Sequence, residues 1–297
     1  AALRLEGQNG AYHHAYGVAL LGLERMEEAV GALRRAVRLD DTNPAYHASL
    51  GDALRRAGRA REAVASLRTA VERDGSTAAY RRDLAVALAA DGQVDEAVLQ
   101  MRDALALDST RAPYYVDLAG LLRSLGDAGG ARAALARAVR LDSANAGYRG
   151  TLSELLEEQG MQYEALLELR AAVRLDSTSA LYRYRHGMLL SRSNQADNAV
   201  AELRAAVRLA PDEAQYRNGL GQVLREGGRP AEALEELIQA TRLQPDVARY
   251  HYDLAMLYTE AGRHGDALAA LEEAARLEPD NRGFATALRE ARRRAPR

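Results

Sequence analysis

The 297-residue sequence has no cysteine and no tryptophan, and none of its 40 basic residues is lysine. Without cysteine there is no disulfide, no thiolate nucleophile and no thiolate metal ligand. Without lysine there is no Schiff-base amine and no Walker-type phosphate lysine. Arginine in place of lysine, with abundant alanine, is the composition expected of a GC-rich bacterial coding sequence. The formal net charge of −2 gives no global field toward nucleic acid or an anionic membrane. There is no apolar run of about 18 residues and no cleavable signal pattern at the start, so no direct membrane insertion is expected. The cytoplasm is the compartment favoured by this composition, and because the chain opens on Ala1 instead of Met the periplasm or cell envelope stands as the alternative.

What is present is a foldable composition, 47% hydrophobic and 28% charged, arranged with strict periodicity. Tyr12, Tyr46, Tyr80, Tyr114, Tyr148, Tyr182, Tyr216 and Tyr250 follow one another at 34-residue intervals, and Phe284 takes the ninth place. The same grammar surrounds each aromatic. One repeat reads Tyr46, Leu50-Gly51, Leu54, Gly58, Ala63, Leu67, Ala70 and Asp74; another reads Tyr216, Leu220-Gly221, Leu224, Gly228, Ala233, Leu237, Ala240 and Pro245.

Apolar residues at three- and four-residue steps on both sides of a glycine predict two amphipathic helices per repeat. Gly58, Gly92, Gly126, Gly160, Gly228 and Gly262 stand where a tight turn between them needs backbone freedom. In the first and sixth repeats Glu24 and Asn194 replace that glycine; asparagine tolerates left-handed backbone, and Gly22 lies close to Glu24. Small residues mark close helix approach: Gly51, Ala85, Ala119 and Gly187 on first helices, and Ala63, Ala97, Ala131 and Ala165 on second helices.

This pattern resembles the tetratricopeptide repeat family, over essentially the whole chain. It departs in two respects. The aromatic lies one place earlier than the family's usual Trp or Leu, and the closing proline survives only as Pro211, Pro245 and Pro279. The resemblance implies an all-α solenoid, a right-handed superhelix of antiparallel helix pairs, in which each repeat buries its apolar face against its neighbours. Residues 1–9 read as the end of a preceding, truncated repeat. Residues 10–281 read as eight tandem repeats, at about 10–43, 44–77, 78–111, 112–145, 146–179, 180–213, 214–247 and 248–281. Residues 282–297 read as a capping helix and Arg-rich tail.

The resemblance further implies a protein-binding scaffold that holds partner segments in a concave groove lined by the first helices. The groove positions give Arg82, Asp83, Asp117, Tyr184, Arg185, Met188, Asn218, Gln222, Tyr252, Asp253 and Met256. Asp83 and Asp117 are carboxylates suited to a partner's cations, or else to Arg82 and Arg123 within the chain. Tyr184 with Met188, and Tyr252 with Met256, are aromatic–thioether pairs one turn apart, a composition common in adaptable binding surfaces; the alternative is that they pad one helix against the next. Neither the Lys/Asn/Arg set of the family's carboxylate clamp nor its asparagine ladder assembles here.

Chemical alternatives fare poorly. Arg38, Arg140, Arg174, Arg208, Arg242 and Arg276 recur late in the second helices, where the helix dipole favours cations, and without interleaved aromatics they predict a solvated face and no nucleic-acid partner. His13, His47 and His251 occupy equivalent places on separate first helices, and even neighbouring first helices are expected about a helix diameter apart, too far to share a metal; His186 replaces a core leucine. The glycine-rich stretches at 126–130 and 219–221 follow no strand and hold no phosphate loop. No cofactor, metal or catalytic group is expected. Two further readings remain: self-assembly through the repeat ends, and a regulatory or substrate-recruiting arm of a larger enzyme.

Overall fold

The computed structural model describes residues 9–294, and its polypeptide falls into two compact units, Ala1–Tyr148 and Arg149–Arg297. Apart from Asn9, the stretch read as the end of a preceding repeat lies outside the described residues. Seventeen α-helices, and no strand, occur among the described residues. Each is 13 or 14 residues long, so none is long and apolar enough to cross a membrane.

The first unit holds α1 (Gly10–Gly22), α2 (Met26–Leu39), α3 (Pro44–Arg56), α4 (Ala60–Arg73), α5 (Ala78–Ala90), α6 (Val94–Leu107), α7 (Ala112–Ser124) and α8 (Ala128–Leu141). They pair as hairpins, α1 with α2 through α7 with α8, and each hairpin packs on the next. Helix α9 (Ala146–Glu158) crosses the division between the units. The second unit continues with α10 (Gln162–Leu175), α11 (Ala180–Arg192), α12 (Ala196–Leu209), α13 (Ala214–Glu226), α14 (Pro230–Leu243), α15 (Ala248–Glu260), α16 (His264–Leu277) and α17 (Arg282–Arg294). Here too α11–α12, α13–α14 and α15–α16 are hairpins, with α17 against α16.

The hairpins form because the turn residues can take left-handed backbone. All six predicted turn glycines have positive φ, from 71° to 81°. Glu24 and Asn194 adopt the same geometry, at φ 58° and 57°. Gly22 does not relieve the first turn: it lies inside α1, and Glu24 itself carries the strain.

Close approach of the two helices in a hairpin follows from the small residues. A Cβ on Gly51 would come within 2.4 Å of Leu67 Cγ, and one on Gly187 within 2.7 Å of Leu203 Cγ. Ala63, Ala97, Ala131 and Ala165 are fully buried between helices. Each leucine that fills such a gap is itself inaccessible, as Leu33, Leu67, Leu203 and Leu237 show, and burial of this kind contributes about 2 kcal/mol per side chain. The core is therefore a row of repeated interlocks and not one centre.

Short connections close each repeat. In the loop after α6, Asp108 accepts from the Thr110 amide at 3.0 Å and from its hydroxyl at 2.6 Å. In other repeats an arginine or histidine directly after the repeat tyrosine staples the equivalent loop from the next helix. Arg183 Nε donates to Ser177 O at 3.0 Å, Arg217 Nε to Pro211 O at 2.9 Å, and the His251 ring meets Pro245 O at 2.8 Å. The same arginines reach the second helix, Arg183 to Glu202 at 2.9 Å and Arg217 to Glu236 at 3.0 Å. In the last helix Phe284 is buried with Ala248 and Ala274 beneath it, while Arg292 and Arg293 are exposed.

Candidate protein-interaction surface

Within each unit the first helices lie side by side, α1, α3, α5 and α7 in one and α11, α13 and α15 in the other. A simple register governs the face they share. The residue two places after one repeat tyrosine meets the residue three places after the next. His14 Nε2 lies 2.8 Å from Ser49 Oγ, Arg82 Nε donates to Asp117 Oδ2 at 2.8 Å, and Asn218 Nδ2 donates to Asp253 Oδ2 at 3.1 Å. Where no polar pair exists, large meets small. A Cβ on Gly219 would lie 2.7 Å from Tyr184 Cε2 and 3.1 Å from Met188 Sδ.

The predicted groove residues divide along this register. In the first unit Arg82 bridges both acids, donating to Asp83 Oδ1 at 3.2 Å as well as to Asp117. Burial pushes the Asp83 carboxyl above the usual carboxylate range, Arg82 opposing the shift and the Asp52 charge adding to it. Asp83 and Asp117 remain about one-third exposed, so their carboxyls are partnered yet accessible.

In the second unit Tyr184 stacks on Tyr216, with centroids 4.7 Å apart, and Tyr252 packs against Phe284 at 5.0 Å. Both tyrosines are half-buried spacers between successive first helices. Asn218 and Asp253 are buried, at 6% and 2% exposure, and Gln222 Nε2 joins them by donating to Asp253 Oδ2 at 2.6 Å. Arg249, which the repeat pattern gave no reason to single out, supplies the charge for that site, 3.0 Å from Asp253 Oδ1.

Arg185 is held by Glu154 and by Glu157, the latter at 3.1 Å, and Arg192 reaches the other oxygen of Glu157. These residues, with Tyr184 and Met188, line a hollow of about 280 Å³ on the same face. Met256 and Tyr252 line another, of about 520 Å³, against α16 and α17. The arginines late in the second helices, Arg38, Arg140, Arg174, Arg208, Arg242 and Arg276, are all exposed. No cluster of three or more metal-ligating side chains occurs among the described residues. His47 and His251 instead bind loop carbonyls.

Helical hairpins of constant length, left-handed turns at constant spacing and small-residue interlocks define a repeat solenoid. Its first-helix face carries lateral polar pairs. The chain belongs to the tetratricopeptide repeat family: one tetratricopeptide model matches residues 1–44, 49–112, 184–240 and 224–282, and a second matches 112–145. Proteins of this family are in general non-enzymatic scaffolds that bind other proteins.

No curated protein sequence matches the chain. Among solved structures, YrrB, described as a TPR protein with an unusual peptide-binding site, is 24% identical with a TM-score of 0.55. The match covers 65% of this chain and 97% of YrrB. MamA from Desulfovibrio magneticus is 20% identical with a TM-score of 0.54, covering 58% of this chain and 97% of that protein. PilF from Pseudomonas aeruginosa is 18% identical with a TM-score of 0.58, covering 70% and 95%. At these identities the likeness is one of fold.

Proposed function

We propose that the protein is an interaction scaffold whose first-helix faces bind segments of partner proteins and so organise an assembly. One observation carries this reading. In the first unit, Asp83 and Asp117 are joined through a single shared arginine and stay accessible, with the Asp83 carboxyl partly desolvated. A partner's arginine or lysine placed there gains a charge-assisted hydrogen bond to a carboxyl that its own chain leaves under-solvated. In the second unit the hollow beside Met188, with Arg185 and Arg192 on its wall, offers a soft apolar contact next to charge. YrrB, a protein of the same fold, is described as having a peptide-binding site, which agrees with such a role.

Tyr184 and Tyr252 pack between successive first helices, so they are poor choices for the test, and every variant used is checked for retained helix content and cooperative unfolding. Asp83→Arg with Asp117→Arg alters the first face, and Met188→Ala with Arg185→Ala the second. A photo-crosslinking residue at position 188 should trap a partner from the native source, and the combined variant should lose that partner. Retention of the partner at undiminished affinity by the folded combined variant would overturn the first-helix assignment.

A further inference from the structure

Second helices of successive repeats are tied by an arginine that reaches a glutamate 28 residues further on. Arg34 pairs with Glu62 at 2.6 Å, Arg68 with Glu96 at 2.7 Å, and Arg204 with Glu232. Arg170 holds the same place on α10, but its counterpart on α12 is Asn198, whose amide donates to Gln195 at 3.3 Å. Among the described residues Arg170 is exposed and has no carboxylate partner.

Arg170 borders a cleft of about 480 Å³ between α10 and α12, with Tyr163, Leu166, Leu167, His186, Leu190 and Glu202 among its lining. Tyr163 and Leu167, one turn apart, are 70% and 47% exposed. No other repeat has an aromatic at the place of Tyr163; Glu27, Arg61, Asp95 and Asp197 are among those found there. His186 stands where other repeats bury a leucine, such as Leu84, Leu118 and Leu220. It is 93% buried (7% exposed), and its Nδ1 lacks a hydrogen-bond partner, lying 3.5 Å from Glu202 Oε1. Three departures from the repeat therefore meet at one cleft.

The first unit contains the corresponding cleft as an internal comparison. There Arg102 holds the place of Arg170, but the hollow is smaller, about 320 Å³, and Asp95 and Asp127 stand in its lining. The α10–α12 cleft has Glu202 as its one lining carboxylate, and Arg183 already holds that group at 2.9 Å.

We propose that this second-helix cleft binds a partner-protein segment presenting a glutamate or aspartate carboxylate to Arg170 and an adjacent aromatic or branched apolar side chain to the wall formed by Tyr163, Leu167 and Leu190. The partner carboxylate takes the role that Glu62, Glu96 and Glu232 play within the chain, and the apolar side chain covers the exposed faces of Tyr163 and Leu167. The site opens between two second helices over His186 and Leu190 of the first helix α11, and does not depend on the proposed role of the first-helix face.

The probe is an acetylated, amidated octapeptide with Phe-Glu at its centre, set against matched Phe-Gln and Ala-Glu peptides. It is titrated into the full chain while the His186 ring and Arg170 side-chain resonances are followed by NMR. Saturable shifts at both residues are expected, with binding weakened about tenfold for the Phe-Gln peptide and for Arg170→Gln. Asn198→Glu rebuilds the chain's own ion pair; it should keep or raise thermal stability while weakening the peptide by about tenfold. Asp83→Arg with Asp117→Arg should leave this binding unchanged, so the two surfaces fail or succeed separately. The proposal is overturned if neither resonance shifts, if Phe-Gln binds as well as Phe-Glu, or if folded Asn198→Glu binds undiminished.

Discussion

Asn218 and Asp253 stand on successive first helices, 35 residues apart, and the buried Asn218 amide donates to the buried Asp253 carboxylate at 3.1 Å. Gln222 donates to the same oxygen at 2.6 Å, and Arg249 supplies a nearby positive charge. A carboxylate at 2% exposure is tolerable only because these groups surround it. The cluster locks α13 to α15 by hydrogen bonds that converge on a single buried carboxylate, where the Arg82–Asp117 pair at the corresponding place in the first unit stays partly exposed.

Removing the acceptor should therefore destabilise the second unit. Asp253→Ala leaves two amides, one of them buried, without their partner, at a cost of about 2–4 kcal/mol. Chemical denaturation of the full chain measures this, and Asp253→Asn, which keeps one acceptor oxygen, should lose less. A loss for Asp253→Ala no greater than that of a typical surface change, about 0.5 kcal/mol, would show that the network contributes no net stability.

The fold was legible because 34-residue spacing reports packing within a repeat: turn glycines, interlocking leucines and small residues each recur at fixed places. The surface was less legible because its contacts run between repeats, at separations of 28, 31 and 35 residues, as in Arg68 with Glu96, Gln222 with Asp253, and Arg82 with Asp117. Asp253 occupies the same place in its repeat as Asp83 and Asp117. It is buried because Asn218, Gln222 and Arg249 happen to surround it, information that lies in other helices and in a different register. Tyr184 illustrates the same point, since its packing depends on Gly219 opposite and on Tyr216 beside it. One signal for the loop staples was present in the sequence all along, the arginine or histidine that follows most repeat tyrosines.

Left-handed turn geometry gives a second prediction. Glu24 holds φ 58° without glycine's freedom and without the tolerance of asparagine, which Asn194 has at 57°. Glu24→Gly should raise stability by about 1 kcal/mol, and Asn194→Gly by a few tenths, because the strain relieved exceeds the entropy added to the unfolded chain. The converse change, Gly126→Ala at φ 77°, should lower stability by about 1 kcal/mol or more. Thermal unfolding of the three variants ranks them; a destabilised Glu24→Gly would mean that the Glu24 side chain makes a compensating contact.

Acid should act through the loops that close the first three repeats. Asp108 accepts from the Thr110 hydroxyl at 2.6 Å and from Arg111 Nε at 2.8 Å, and these contacts push its carboxyl from 3.8 down to about 2. Asp40 and Asp74 are lowered for the same reason, led by the hydroxyls of Thr42 and Thr77. A carboxyl that ionises more easily when folded stabilises the fold above its unfolded pKa, and that contribution disappears as pH falls through the folded value. Asp108→Ala should therefore melt below the parent chain at pH 7, and the gap should narrow between about pH 4 and pH 2 as the parent loses its own ionised acceptor. Hydrogen-exchange protection in the α6–α7 loop, taken relative to the intrinsic rate at each pH, should fall over the same interval in the parent and stay constant in the variant. If the melting gap at pH 2 equals that at pH 7, Asp108 holds the loop through shape and neutral hydrogen bonds, and its charge has no part in closing the repeat.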